Sequence, residues 1–198
     1  PTAYYNDCFE YDNVTNTWMQ KANAPATFTF SASFAINNEG YVKTGNRDGN
    51  IVDNTLMKFN PVSNSWTYLT PPLATARTRF CATTINGKIF IGPGVTGDYS
   101  YSNIATFFSV FRRDSWLYDP TNESWTKKDS FPNIRYGASN FTIDSLVYVV
   151  GGSNNAHVPT SECWSYNPNG NGWTQRANFT GPARMGGIGQ TINNRGYY

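Results

Sequence analysis

Charge is scarce in this chain: only 14% of its 198 residues are Asp, Glu, Lys or Arg, and the formal net charge is +2. No long run of basic residues occurs. The basic stripe with which a nucleic-acid groove displaces counterions is missing, which argues against a nucleic-acid partner. Nor does any segment approach the roughly 18 apolar residues of a membrane-crossing helix. The longest apolar run, Leu146 to Val150, has the length of a strand, so no membrane insertion is expected. Histidine occurs once, as His157, which leaves no Ser-His-Asp arrangement to argue for. The three cysteines, Cys8, Cys81 and Cys163, are odd in number and remote from one another in sequence. Complete internal pairing is impossible and no zinc spacing exists, so they are expected to be buried thiols behaving as small apolar residues. No cofactor and no metal is expected.

What is present is aromatic and turn-rich. Phe, Trp and Tyr make up 16% of the chain, alongside 17 Gly and 11 Pro. A disordered chain would be charged and poor in aromatics. This composition suits short strands joined by polar turns. Abundant Asn, Ser, Thr and Tyr with sparse Lys point to an extracellular, cell-surface or periplasmic location, and the opening residues show no signal-peptide pattern.

The tryptophans set a period. Trp18, Trp66, Trp125 and Trp173 are spaced 48, 59 and 48 residues apart, and an aromatic precedes each by seven: Tyr11, Phe59, Tyr118 and Tyr166. Similar turn segments lie between, such as Asn60-Pro61-Val62-Ser63-Asn64-Ser65 and Asp119-Pro120-Thr121-Asn122-Glu123-Ser124. After each Trp come a polar strand, a proline (Pro25, Pro72, Pro132, Pro182), and a small-and-aromatic run ending in Ile36, Ile85, Ile143 or Ile192. A turn such as Asn86-Gly87 follows, the strongest short hairpin signal, and then an apolar strand that ends at glycine.

Each unit thus reads as four short antiparallel strands. A four-stranded sheet recurring at this spacing is the blade of an all-β propeller, in which stacking buries the Tyr and Trp rows between neighbours. The whole of residues 1–198 is expected to be one propeller of four repeats in a permuted frame. The third and fourth strands of the first unit fall within residues 1–22, and the first and second strands of the last within 184–198. Either these ends complete one blade and close a four-bladed ring, or the repeats are part of a six- to eight-bladed propeller; the second reading is preferred.

Arg135-Tyr136-Gly137-Ala138, Val147 to Gly152 and the Trp116-Leu117-Tyr118-Asp119-Pro120…Trp125 segment resemble kelch repeats. More narrowly, the stretch Glu162 to Ala177 resembles bacterial surface kelch proteins related in fold to the galactose oxidase central domain. The likeness covers essentially the whole chain, with departures. The double glycine is intact only at Gly151-Gly152, and Phe28 stands where other units carry Arg77, Arg135 and Arg184. Copper chemistry of the galactose oxidase type needs two histidines, which this chain lacks. The resemblance implies a pore lined by the first strand of each blade, with arginines able to receive a partner's acidic groups.

Strand direction sorts the connections into two faces. Tight hairpins occupy one. The other, the loop face, carries Arg77, Arg135 and Arg184 and the longest connection. The 11 extra residues between Trp66 and Trp125 fall after Gly92, in an excursion containing Tyr99, Tyr101, Phe107 and Arg112. Long loops on rigid scaffolds often carry binding, and aromatics with arginine make good contact residues. With His157, these residues form the expected binding set. The sequons at Asn13, Asn122, Asn140 and Asn178 are ordinary for an Asn-rich chain. The function expected is a non-catalytic extracytoplasmic module that binds a protein or glycan partner, with membership of a larger surface assembly as a further expectation. The alternative is a sugar-modifying enzyme of the N-acetylneuraminate epimerase (mutarotase) type.

Overall fold

The computed structural model describes residues 4–47, 51–69, 75–96, 111–170 and 172–198, and among them every regular element is a strand. An opening hairpin pairs β1 (Cys8–Asp12) with β2 (Thr17–Lys21). The first complete blade follows. β3 (Phe28–Thr29) lies ahead of its innermost strand β4 (Ala32–Ile36), which is followed by β5 (Glu39–Lys43). The short β6 (Asn46–Arg47) and β7 (Ile51–Val52) lead to β8 (Leu56–Asn60) and β9 (Ser65–Leu69). The second blade contains β10 (Ala82–Ile85), β11 (Lys88–Ile91), the excursion strands β12 (Gly94–Val95) and β13 (Phe111–Arg112), then β14 (Ser115–Asp119) and β15 (Ser124–Lys128). The third has β16 (Ser139–Ile143), β17 (Leu146–Val150), β18 (Cys163–Tyr166) and β19 (Trp173–Arg176). A second hairpin, β20 (Gln190–Ile192) and β21 (Arg195–Tyr197), ends the series.

The sheet orders are β4-β5-β8-β9, β10-β11-β14-β15 and β16-β17-β18-β19, antiparallel throughout. These are the propeller blades that the period predicts. The two end hairpins stand as separate two-stranded sheets, and no ladder joins them among the described residues. Small additions decorate only the loop face. The segment before each innermost strand pairs with the segment after the second: Phe28↔Arg47, Thr78↔Val95 and Tyr136↔Ser153. Two-residue strands leave no pattern in sequence, so these were not foreseen.

Turn chemistry explains the register. Asn37 and Asn38 have φ of 53° and 62°, and Asn86 and Gly87 have 50° and 72°. In these type I′ turns both central residues are left-handed, which Asn and Gly tolerate. Before each Trp the outer turn also ends left-handed, at Asn16, Asn64, Glu123 and Gly172. That turn sets each aromatic opposite its Trp: Tyr11↔Trp18, Phe59↔Trp66, Tyr118↔Trp125 and Tyr166↔Trp173. The four ring pairs are nearly superposable, with centroids 4.8–5.0 Å apart.

The core lies between blades. Alternation along β11 sends Ile89 and Ile91, with Tyr118 of the same blade, toward Leu56 and Tyr41 of the first, and sends Phe90 toward Val147, Val149 and Tyr166 of the third. Burying a side chain of this size is worth about 1.5–3 kcal/mol, so each seam is a substantial apolar interface. Polar ties register the seams. Trp66 Nε1 donates to Ala22 O at 2.8 Å and Trp173 Nε1 to Asp129 O at 3.1 Å, each reaching the preceding unit. Nearer the axis, the Asn140 amide both donates to Ala82 O (2.8 Å) and accepts from Ala82 N (3.0 Å), imitating a strand partner. Asn140 therefore does structural work at its sequon.

Cys81 is fully buried, its thiol pushed up to about 12 by burial. Cys8 and Cys163 are half-buried and also free.

Candidate binding site on the loop face

The loop-face arginines begin where the chain enters each innermost strand. Arg77 is 1% exposed. It donates to Gly92 O (2.9 Å), Asp114 O (2.8 Å) and Asp114 Oδ2 (2.6 Å). Trp116 Nε1 donates to the same carboxylate oxygen. In the third blade Arg135 reaches Gly151 O and pairs with Glu162 Oε2 at 2.5 Å, while Trp164 Nε1 donates to that same oxygen at 2.9 Å. Burial works to raise the Asp114 carboxyl, but Arg77 and the Trp116 donor outweigh it and hold the group below its usual range. The ring of open guanidinium groups expected from sequence is thereby corrected. Arg77 and Arg135 are engaged by their own blades, each capping the carbonyl just after the second strand.

The first blade makes the same cap with a different residue. Phe28 replaces the arginine, and Thr55 stands where Asp114 and Glu162 stand. Lys43, fully buried at the end of β5, sends its ammonium to Thr44 O (2.7 Å) and Asp53 O (3.3 Å). Thr44 is the repeat equivalent of Gly151, whose carbonyl Arg135 reaches. Burial, against the counter-pull of Asp53, lowers the Lys43 pKa to about 7. Sequence reading missed Lys43. The available signal was the joint loss of arginine and acid in one unit.

The other expected residues divide. Arg184 is exposed, its guanidinium 5.4 Å from the Phe179 ring and its Nε donating to Pro182 O. His157, half-buried with φ of 60°, bonds through Nδ1 to the Tyr136 hydroxyl at 2.7 Å, so it docks its loop against the third blade. Arg112 is half-buried in β13 opposite Gly94, and Phe111 packs 5.9 Å from the Tyr136 ring. The long excursion is thus zipped at its base. Tyr99, Tyr101 and Phe107 lie outside the described residues.

Three cavities follow the axis and the loop face. The innermost strands line a polar channel of about 470 Å³, walled by hydroxyls such as Ser33, Thr83, Thr142 and Thr191. Where those strands begin, a mouth of about 370 Å³ is formed by Phe30, Arg79, Phe80, Ala138, Met185 and neighbouring backbone. Phe30 is 58% exposed and Met185 41%, and the Arg79 guanidinium lies 5.2 Å from the Phe30 ring. A third cavity of about 280 Å³ on the third blade is lined by Asn133, Arg135, Asn154, Asn155, Thr160 and Glu162. No cluster of three or more His, Cys, Asp or Glu that could hold a metal occurs among the described residues.

Comparison with known proteins places this geometry. A family model described as the Kelch motif matches residues 134–180, the third blade. The solved structure of YjhT superposes with a TM-score of 0.74 over 98% of this chain and 71% of that chain, at 18% identity. The chain is a kelch-repeat β-propeller. Among curated relatives, Kelch-like protein 23 of Pongo abelii is 30% identical over 149 residues, covering 72% of this chain and 24% of that protein. Kelch-like protein 40 of Mus musculus is 25% identical over 142 residues, covering 72% and 21%. The kelch propeller described here thus spans about a quarter of the length of these relatives. They are vertebrate proteins, whereas the sequence likeness pointed to bacterial surface proteins.

Proposed function

We propose that this kelch propeller is a non-catalytic binding module whose loop face takes a protein partner outside the cytoplasm. The asymmetry of the two faces carries the reading. The hairpin face ends in tight turns, while the loop face bears the strand additions, the excursion stem and the mouth with exposed Phe30 and Met185. Exposed apolar side chains gathered on a rigid scaffold are what an interface core uses. The test is selection of binders from a displayed random-peptide library, followed by hydrogen-exchange mapping on the folded chain. Protection should concentrate on residues 28–31, 78–80, 135–138 and 154–160. Protection confined to the hairpins at Asn37-Asn38, Asn86-Gly87 and Asp144-Ser145 would end the proposal. Deleting 97–110 should weaken binding to a partner that reaches the excursion while leaving the fold intact. Appearance of the native protein in a surface or secreted fraction is expected; a purely cytosolic fraction would remove the extracytoplasmic part.

One cavity favours a second reading, sugar binding or an N-acetylneuraminate epimerase-type activity. The third-blade cavity offers three asparagine amides, Thr160 and the Glu162 carboxylate, a set suited to sugar hydroxyls. Arg135 is already given to Glu162, so a carboxylate on the sugar would need another cation. An NMR anomerisation assay decides: a rate equal to buffer rejects the enzyme.

A further inference from the structure

The tripeptide Asn-Phe-Thr occurs twice, at residues 140–142 and 178–180, and each copy is a sequon for N-linked glycosylation. The two are presented in opposite ways. In the first, within β16, the Asn140 amide is bonded to both Ala82 O (2.8 Å) and Ala82 N (3.0 Å), and Thr142 Oγ1 donates to Thr84 O at 3.0 Å. Acceptor and hydroxyl both face the seam with the second blade. A bulky, hydrated oligosaccharide on Asn140 Nδ2 has no room while that seam is closed.

In the second copy the middle residue is the one held. Phe179 is half-buried, its N donates to Ser161 O at 3.1 Å, and its ring packs edge-on to Tyr198 with centroids 4.9 Å apart. Asn178 and Thr180 on either side are exposed. With Phe179 anchored inward, the acceptor amide and the hydroxyl two residues on are left to solvent, where a transferring enzyme can reach them and a bulky product can stand. The anchor also fixes the place of that product. Ser161 lies between Thr160 and Glu162, which line the third-blade cavity of about 280 Å³, so Asn178 stands beside that cavity on the loop face.

We infer that Asn178 carries an N-linked oligosaccharide at the edge of the third-blade cavity, while Asn140, in the same tripeptide, stays bare. This rests on the extracytoplasmic part of the reading above. In the transfer, Asn178 Nδ2 bonds to the anomeric carbon of an oligosaccharide activated as a lipid pyrophosphate. The bond from that carbon to the phosphate oxygen breaks, the lipid pyrophosphate leaves, and the amide gives up one proton. This chain supplies only the acceptor.

The test is the full chain secreted from cultured eukaryotic cells behind a cleavable signal peptide. Asn13→Gln and Asn122→Gln are included so that the two Asn-Phe-Thr copies are the only sequons left. Intact mass should show one oligosaccharide, removed by peptide N-glycosidase with conversion of Asn178 alone to Asp. Thr180→Ala should abolish the mass increment and leave Tm unchanged. Thr142→Ala should keep the increment and lower Tm, because it removes a bond across the seam. A bare Asn178 on the folded, secreted chain, or an oligosaccharide on its Asn140, would sink this inference and spare the loop-face reading. Should the chain be retained in the cell, translation into microsomal vesicles reads Asn178 directly, and its absence from the modified sites is equally fatal. A native protein confined to the cytosol would remove the extracytoplasmic reading and this inference together.

Discussion

The opening hairpin and the seam between the second and third blades contain the same local structure in different surroundings. Tyr11 and Trp18 are paired across β1 and β2 with rings 5.0 Å apart, and Tyr166 and Trp173 across β18 and β19 with rings 4.8 Å apart. Yet Tyr11 is 47% and Trp18 68% exposed, whereas Tyr166 is 1% exposed and packs on Phe90 and Val147. The repeat motif encodes turn, register and ring contact; it does not encode burial, which a neighbouring sheet supplies. Stability in a radial array therefore resides in seams between units rather than in the units themselves.

Several substitutions would break or sharpen this contrast. The largest difference is expected at the aromatic position: Tyr118→Ala should cost about 3–5 kcal/mol of unfolding free energy by denaturant titration, against less than about 1 kcal/mol for Tyr11→Ala. Equal costs would show that the motif stabilises by itself. Next comes the acid that holds the buried arginine. Asp114→Ala strands Arg77 and should cost about 3 kcal/mol, while Asp7→Ala, at the equivalent place in the open hairpin, should stay within about 0.5 kcal/mol.

A smaller effect is expected at Lys43. Its folded pKa of about 7 lies below the ordinary lysine value, so the unfolded chain holds more protons between those limits. Its contribution should be fully present above the unfolded pKa and be lost as pH falls through about 7, with a slope of at most about 1.4 kcal/mol per pH unit. Lys43→Met should remove that slope, seen as a flatter denaturation midpoint across the alkaline range. The smallest effect concerns thiol chemistry. With Cys81 buried and its thiol pushed up to about 12, a thiol reagent should label Cys8 and Cys163 first and Cys81 only on unfolding.

The blades were legible because their signals are local and repeated. Asn-Gly turns, the Tyr-to-Trp spacing and the glycines ending each second strand dictate pairings that lie close in sequence. The site was less legible because its pairings skip along the chain. Arg77 meets an acid 37 residues on and Arg135 one 27 residues on. Asp114 and Glu162 each lie two residues before a Trp, which was a readable clue. Lys43 was invisible because it occupies a strand-end position where the other complete blades carry Gly92 and Val150, so repeat alignment marks it as a small or apolar residue. The mouth residues were hidden for another reason: Phe30 and Arg79 take a left-handed φ, which neither residue type announces.

The cap on the second strand has a consequence for comparing such units. What recurs is a positive head group over one main-chain oxygen, and two unrelated places in the repeat can supply it. An alignment scored by residue identity counts the Phe28 unit as degenerate, although its oxygen is served from the other side. Grafting is the natural extension: Phe28→Arg with Thr55→Glu should allow Lys43 to become a valine, converting the first blade to the wiring of the third.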